Sequence, residues 1–330
     1  MREVAVVTTG FLDGVHLGHR HVLETVVSSA RERGEEAVVV TFWPHPRTVL
    51  QQDAREFRLL SSLEEKKALL LAAGIDRVEV LPFTRAFAAL TAAEYLQLLQ
   101  DRFGATLVVM GYDNRIGSDK KTCAQLVAEG GQRSAQNPAS LPALLLVGPL
   151  PSAMAALSAD KACFADTEAE NGVVSVETAQ IADTGAPRIS STVIRKALEA
   201  GDVEGANAML GYAYGLYGVV VAGNRMGRTI GFPTANMQLY EPLKLVPCNG
   251  VYAVEVEVMG QRYRGMTNIG TRPTVGGTIR TIETHILDFN EDIYGLPLRI
   301  RFLRRIRDER KFPSLEALRQ QLLLDCASCR

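Results

Sequence analysis

Residues Gly10–His19 have the sequence GFLDGVHLGH, and they lie between an apolar run, Val4–Val7, and a helix-like run, Arg20–Arg33. This order predicts a strand, a tight glycine turn and the start of a helix. The N-terminus of a helix offers free N–H groups and a partial positive charge, and glycines allow an anion to approach the backbone closely. His16 and His19 add imidazole donors at the same place. The stretch therefore predicts a site for the phosphates of a nucleotide.

The first half of the chain repeats this alternation of strand and helix. Apolar runs lie at Val4–Val7, Ala37–Phe42, Val78–Leu81 and Leu107–Met110, with a last one at Val173–Val176, and helical patterns separate most of them near 19–33, 63–73 and 92–102. Continuous apolar strands with helices between them indicate a parallel sheet covered on both faces, with ligands at the carboxyl ends of its strands. Polar segments follow the first, second and fourth runs at this edge.

The motifs of this half resemble those of the HxGH nucleotidyltransferases, and most closely the bifunctional riboflavin kinase/FMN adenylyltransferases of the prokaryotic FAD synthetase family. GFLDGVHLGH resembles the first motif of that family, FWPHP (42–46) its FxPHP segment, and GYDNRIG (111–117) its GYDxRFG segment. The resemblance implies a Rossmann-like α/β domain. It also implies that ATP phosphates contact one set of residues: Gly10, Phe11, Asp13, His16, Gly18 and His19.

The same resemblance assigns the second and third segments to the wall of the site. It implies FMN or nucleotide contacts for Pro44, His45, Tyr112, Asp113 and Asn114. This sequence departs from the family pattern at three positions: Leu12, Asn114 and Ile116.

A further motif, ISSTVIR (189–195), resembles the ISSTxIR motif of the family. Serine and threonine before a helix cap its N-terminus and face anions, and an arginine one turn later binds phosphate with a forked geometry. We therefore expect Ser191, Thr192 and Arg195 to contact ATP phosphates in adenylyl transfer. That reaction depends on positioning and charge neutralisation more than on a proton-transfer residue.

Residues 134–171 match no part of the family pattern, so we expect an insertion or an enlarged loop there. The apolar run Leu141–Leu150 is interrupted by Pro142 and Pro149, which argues against a long helix. Two interpretations remain open, a surface excursion and an interaction patch, because an apolar stretch is not expected to stay exposed.

The second half of the chain changes to alternating residues and frequent turns. Strand patterns lie at 214–221, 250–258, 262–268, 283–289 and 298–303, and a final helix is predicted at 315–324. A period of two with short turns indicates a small antiparallel barrel. We expect an adenylyltransferase domain at 1–196, a connector helix at 197–210 and a second domain at 211–330.

A glycine-rich segment near the start of this half, GNRMGRTIGFPTAN (223–236), closely resembles the riboflavin kinase signature. The resemblance implies a Greek-key barrel of the riboflavin kinase type. It implies ATP contacts for Gly223, Gly227, Gly231, Pro233, Thr234 and Asn236. Of these, Thr234 and Asn236 are expected to hold the Mg²⁺ that accompanies ATP, since hydroxyl and amide oxygens suit a hard cation.

Two later segments, NIGTRPT (268–274) and IETHILDF (282–289), resemble further motifs of the kinase. Glu283 is the predicted general base, because a carboxylate beside the 5′-hydroxyl of riboflavin accepts its proton as it attacks the γ-phosphate. The resemblance also implies flavin contacts for Asn268, Arg272, Arg307 and Glu309.

Taken together, the motifs predict an enzyme that phosphorylates riboflavin to FMN and adenylylates FMN to FAD, with Mg²⁺ and ATP. The departures at Leu12, Asn114 and Ile116 keep one alternative open, a riboflavin kinase whose adenylyltransferase domain is weakened or inactive. Two other hypotheses are a flavin-binding regulator without turnover and an enzyme that adenylylates a different phosphate.

Composition limits the possible partners and compartments. The net charge is -1, and no segment of eighteen apolar residues occurs, so we expect neither nucleic acid nor a membrane as a partner. The five cysteines are scattered, which fits reduced thiols in the cytoplasm. Cys326 and Cys329 form a single CxxC without a second pair, so a plain C-terminal tail is favoured over zinc or redox chemistry.

Overall fold

A computed structural model describes residues 4–50, 57–126, 142–148, 189–223, 227, 230–274 and 277–329, without the side chains of 272–279. The chain divides into two compact units. The first contains Met1–Phe57 and Leu63–Arg188, and the second contains Arg58–Ser62 and Ile189–Arg330. A five-residue segment after Phe57 therefore belongs to the second unit.

The first unit is built on a parallel sheet. Its strands are β1 (Ala5–Thr9), β2 (Glu36–Trp43), β3 (Arg77–Pro82), β4 (Ala105–Gly111), the two-residue strands β5 (Arg115–Ile116) and β6 (Lys121–Thr122), and β7 (Ala143–Val147). Within the described residues, β3, β2, β1, β4 and β7 form one sheet in that order, and every neighbouring pair is parallel. Because β1 is central, the turn that follows it lies at the carboxyl edge of the sheet between β2 and β4.

The helices of this unit are α1 (Leu17–Arg33), α2 (Pro46–Leu50), α3 (Leu63–Ala72), α4 (Arg85–Ala88) and α5 (Ala92–Phe103). Buried residues of α1 and α3 pack on one face of the sheet and those of α5 on the other, whereas α2 and α4 have no buried residues. The helix α5 begins at a capping box formed by Thr91 and Glu94 and ends at Gly104, whose φ is 65°. A left-handed residue at this position is the usual stop of a helix, and glycine adopts it at little cost.

The strand β7 corrects one sequence prediction. Its residues Ala143–Val147 pair with Leu107–Gly111 of β4, so they belong to the sheet and not to an inserted loop. Pro142 precedes the strand, where a missing N–H costs no ladder bond. The rest of 134–171 lies outside the described residues, as does the strand predicted at 173–176.

The second unit is a closed antiparallel barrel. Its strands are β8 (Gly215–Val221), β9 (Ala235–Leu239), β10 (Gly250–Val258), β11 (Gln261–Thr274), β12 (Gly277–Ile286) and β13 (Pro297–Arg307). Their order around the barrel is β10, β11, β12, β9, β8, β13, which is a Greek-key connection. The strand β9 begins inside the PTAN motif, where the sequence analysis predicted no strand.

Three helices accompany the barrel: α6 (Ser191–Ala200), α7 (Val203–Leu210) and α8 (Leu315–Ala327). Ile194 and Leu198 of α6 are buried in the same apolar cluster as barrel residues such as Phe302. The helix α6, which we expected to close the first domain, thus packs within the second unit. The boundary of the functional domain near residue 196 stays a prediction.

The helix α8 covers the outer face of the barrel. Asp325 is 1% exposed, and it accepts hydrogen bonds from Nη2 of Arg307 at 2.7 Å and from Nε2 of Gln321 at 2.7 Å. Met266 and Cys329 lie in a small apolar cluster beneath the helix.

The predicted fold class, an α/β domain followed by a Greek-key barrel and a C-terminal helix, is confirmed. No helix within the described part of the chain is long and apolar enough to cross a membrane.

Candidate functional sites in the two units

The turn after β1, which we call the histidine turn (Gly10–His16), has a strained backbone. Leu12, Gly14 and Val15 have φ values of 52°, 78° and 39°, and only glycine adopts such values without cost. The Val15 N–H donates to the Leu12 carbonyl at 3.2 Å, and Val15 is fully buried. Strain of this kind persists where the surroundings hold it, and it concentrates at functional sites.

His16 and His19 face each other at the start of α1. His16 is the N-cap, and its Nδ1 accepts a hydrogen bond from the His19 N–H at 3.4 Å. The two rings stack, with centroids 3.6 Å apart and planes at 17°. Gly18 lies between them in the first turn of the helix. Sequence reasoning brought these residues together correctly at the N-terminus of a helix.

The pKa of His19 is lowered well below its ordinary value, first by burial and then by the nearby charges of His16 and Lys66. The side chain is half-buried, and its Nδ1 is shielded from solvent without a hydrogen-bond partner among the described residues. A neutral imidazole therefore faces the end of the helix at neutral pH. It offers one N–H donor to an anion.

Aromatic side chains form one wall beside the histidine turn. His45 lies between the rings of Phe11 and Phe57, with both centroid distances at 4.1 Å. The peptide bond between Trp43 and Pro44 is cis, and Pro44 is exposed. The FWPHP segment thus lies beside the turn, as predicted from the carboxyl end of β2.

The third segment follows β4. Tyr112 and Asp113 are exposed, while Asn114 donates from Nδ2 to the Thr9 carbonyl at 3.1 Å and so connects the segment to β1. Ile116, one of the departures from the family pattern, is 6% exposed and packs in an apolar cluster of the sheet. The departure from the family pattern at this position therefore changes a residue of the apolar core.

Sequence reasoning missed Lys66 of α3. This lysine is 1% exposed, and its Nζ donates to the Phe11 carbonyl at 2.9 Å and to the Thr41 hydroxyl at 3.0 Å. The run of four charged residues that contains it, EEKK, is typical of the solvent-facing side of a helix. A partial indication was available, because α3 must cover a sheet whose strands are buried on both faces.

The ISSTVIR motif lies in the second unit. Ser190, and not a later residue, is the N-cap of α6, where its hydroxyl accepts from the Val193 N–H at 3.4 Å. Ser191 and Thr192 form the first turn, and Nε of Arg195 donates to the Arg58 carbonyl at 2.8 Å. The role of Ser191, Thr192 and Arg195 toward ATP phosphates stays a prediction.

The glycine-rich loop of the barrel approaches β9 closely. A side chain at Gly223 would collide with the amide of Asn236, and one at Gly227 would collide with the Phe232 carbonyl. The N–H of Phe232 donates to the Gly227 carbonyl at 2.8 Å, and Gly231 has a φ of 85°. Residues 224–226 and 228–229 lie outside the described residues.

A row of polar residues crosses three neighbouring strands of the barrel. In β12, Glu283 pairs in register with Asn236 of β9 on one side and with Asn268 of β11 on the other. Residues directly opposite share a face of a sheet. Thr284 and Thr267 are fully buried, and their hydroxyl groups are hydrogen-bonded to each other at 2.8 Å. The row that contains Glu283 alternates with these threonines and therefore faces outward. The predicted base thus lies between two predicted ligand residues.

Thr234 lies just before β9, next to Pro233. The carbonyl of Pro233 is 2.8 Å from Nδ1 of His285, which is two residues after Glu283. The ring of His285 also packs edge-on against Phe232, with centroids 5.3 Å apart. His285 therefore attaches the PTAN segment to the strand that carries Glu283, a positioning role.

The remaining predicted flavin contacts lie around the end of β13. Arg307 is paired with Asp325 through Nε at 3.0 Å and Nη2 at 2.7 Å. Glu309 is exposed, and Nδ2 of Asn249 donates to its Oε2 at 3.4 Å. The carboxylate of Glu309 lies over Gly270, where a side chain would collide with it. The side chain of Arg272 lies outside the described residues, and all these flavin contacts stay predictions.

The fold and these two sites define a class of protein. A parallel α/β unit with an HxGH turn at a helix N-terminus is typical of nucleotidyltransferases, and the barrel carries a separate glycine loop beside an outward carboxylate. Family models match the two parts, FAD synthetase at residues 1–144 and riboflavin kinase at residues 210–330. The chain belongs to the family of bifunctional riboflavin kinase/FMN adenylyltransferases, which confirms the resemblance noted in the sequence.

Relatives of this name extend over nearly the whole chain. The Bacillus subtilis protein is 33% identical over 324 residues, covering 97% of this chain and 90% of the relative. The Escherichia coli K12 protein is 34% identical over 331 residues, covering 100% and 93%. Because domains of both types are present, the comparisons favour the bifunctional hypothesis over a kinase alone.

A solved structure shares the fold across both units. It is a crystal structure described as a macrolide-efflux protein from Streptococcus pneumoniae, with a TM-score of 0.82 and 31% identity. The alignment covers 100% of this chain and 95% of that one. The fold of each unit is therefore found in a known structure.

Proposed function

We propose that this chain phosphorylates riboflavin to FMN at the barrel and adenylylates FMN to FAD at the histidine turn. The observation that carries the proposal is the presence of two separate sites for phosphate chemistry in one chain. One is the strained turn with stacked His16 and His19, and the other is the row around Glu283. The family models and relatives support the same pair of activities.

The kinase step uses Glu283 as the base. Its carboxylate accepts the proton of the riboflavin 5′-hydroxyl while that oxygen forms a bond to the γ-phosphorus and the bond to ADP breaks. Asn236 and Asn268 flank it in register and orient the phosphates and the flavin. The glycine loop holds ATP by its backbone, and Gly223 leaves space for the side chain of Asn236.

The residues near Asn236 fit a Mg²⁺ ion. Thr234 and Asn236 present a hydroxyl and an amide oxygen, and both side chains are half-buried. Such hard donors suit Mg²⁺, which also keeps phosphate and water ligands. When bound, it would neutralise the negative charge of the ATP phosphates.

The adenylyl step places ATP on the histidine turn. A phosphate oxygen of FMN attacks the α-phosphorus, a new P–O bond forms, and pyrophosphate leaves. His16, His19 and the N–H groups at the start of α1 bind the phosphates, and the wall of Phe11 and His45 limits the space beside them. The reaction gains rate from positioning and charge stabilisation.

We also propose that the protein works in the cytoplasm. Within the described residues, Cys123, Cys248, Cys326 and Cys329 form no disulfide bond, which is usual in a reducing compartment.

A time course with riboflavin and Mg·ATP tests the function in one reaction. Separation of the products by chromatography is expected to show FMN first and FAD later. FMN without FAD at high enzyme concentration would support a kinase alone, and neither product would overturn the whole proposal.

A further inference from the structure

Lys66 is a buried charge that the proposed chemistry does not yet use. Its side chain is 1% exposed, and its Nζ lies 3.7 Å from the centroid of the Phe11 ring. Burying an ammonium is costly unless it is paired and hydrogen-bonded. In this protein its donors point to two acceptors, the Phe11 carbonyl at 2.9 Å and the Thr41 hydroxyl at 3.0 Å.

The two acceptors lie at the histidine turn: Phe11 is part of it, and Thr41 is hydrogen-bonded to it. The Thr41 hydroxyl itself donates to the Phe11 carbonyl at 3.2 Å. That carbonyl therefore accepts two hydrogen bonds, one from Thr41 and one from Lys66. The next residues include three left-handed positions, at Leu12, Gly14 and Val15. A strained backbone reverts to ordinary angles unless its neighbours restrain it, and the contact of Lys66 lies immediately before the strained part.

Among the described residues, two titratable groups on the elements packed around Lys66 interact electrostatically with its ammonium. Asp13, on the turn, is 4% exposed and interacts electrostatically with Lys66. The positive charge of Lys66 lowers the pKa of His19, on α1, and so helps to keep the imidazole neutral. The ammonium therefore influences both the shape of the turn and the protonation of a residue that faces the phosphates.

We propose that Lys66 is a positioning residue for adenylyl transfer, whose ammonium holds the Phe11 carbonyl and so keeps the histidine turn in the shape that receives ATP. This inference rests on the proposed adenylyltransferase function. Lys66 does not itself contact the phosphates, and it acts through the backbone of Phe11 and through His19.

A pH profile distinguishes this role from a purely structural one. Burial lowers the pKa of Lys66 to about 8, against an opposing effect of Asp13. As the pH rises through this value the charge is lost, so kcat/KM for FAD formation from FMN is expected to fall there, since this parameter reports the free enzyme. Riboflavin phosphorylation in the same samples serves as the reference.

The variants are Lys66→Met, Lys66→Arg and a matched control, Lys67→Met. Lys67 is the next residue of α3, and it forms a surface ion pair with Glu64 at 3.2 Å. Lys66→Met is expected to lose about tenfold or more of kcat/KM for FAD formation and to lose the alkaline fall. Lys66→Arg is expected to recover part of the rate, and Lys67→Met is expected to match wild type. Riboflavin phosphorylation is expected to stay constant in all three.

Several outcomes would overturn the inference. Equal rates of FAD formation in wild type and Lys66→Met would do so. A wild-type kcat/KM for FAD formation that stays constant between about pH 7 and pH 9.5 would also do so, and this test does not require any variant to fold. Failure of wild type to make any FAD from FMN would instead overturn the proposed function, and the inference with it.

Discussion

Raising the pH is expected to stabilise the N-terminal unit of wild type relative to Lys66→Met, although it lowers the rate of FAD formation. The pKa of Lys66 is about 8 in the folded chain, whereas an unperturbed lysine titrates near about 10.4. Each unit of difference corresponds to about 1.4 kcal/mol. The buried ammonium therefore costs the folded state about 3 kcal/mol below pH 8.

The direction follows from proton binding. Because the folded pKa is the lower one, the unfolded chain binds more protons between the two values, and the free energy of unfolding rises with pH in that window. Between about pH 7.5 and about pH 9.5, roughly 2 kcal/mol of the cost is removed. Methionine at this position has no such dependence.

Calorimetry of both proteins at the two pH values measures the effect. The difference between the melting temperatures of the N-terminal transition is expected to change by about 4–8 °C in favour of wild type. Other groups, such as Cys123, whose pKa is raised by burial, titrate in both proteins and cancel in the difference. A difference that does not change with pH would show that Lys66 is not a buried cation.

Two further perturbations concern the barrel unit. Asp325→Asn should destabilise it by about 3–5 kcal/mol, because Arg307 loses a buried partner. The control is Asp308→Asn, which should cost no more than about 1 kcal/mol, since the Asp308 side chain is 83% exposed. Calorimetry compares the two variants, and equal losses of stability would contradict the buried pairing. Gly223→Ala should displace the Asn236 amide and raise the KM for Mg·ATP in riboflavin phosphorylation about tenfold, with FAD formation from FMN unchanged, and an unaltered KM would show that this close approach is not needed.

The sequence was sufficient for features with local causes. The turn after β1 was predicted from an apolar run, glycines and two histidines, and His16 and His19 indeed stack at the start of α1. Five of the six barrel strands were predicted from their period of two, and β9 was not. Glu283 was predicted on a strand, and the structure pairs it in register with Asn236 and Asn268.

Features with tertiary causes could not be predicted. Lys66 lies in a charged stretch, and only the packing of α3 over the sheet shows that it is buried. Arg307 was named only as a flavin contact, and its partner Asp325 is on a helix eighteen residues later in the chain. Pro142 and Pro149 obscured the strand at Ala143–Val147, because proline is compatible with the end of a strand but not with its interior.

The central claim is that two independent sites act in sequence, and one variant tests it directly. Glu283→Gln, supplied with riboflavin and Mg·ATP, is expected to form neither FMN nor FAD, since the base is removed. Supplied with FMN and Mg·ATP, the same protein is expected to form FAD at the wild-type rate. Glu255→Gln, an outward strand glutamate paired with Arg301 at 2.9 Å, is the control and should retain both activities. Persistent phosphorylation of riboflavin by Glu283→Gln, or loss of FAD formation from FMN, would contradict the account.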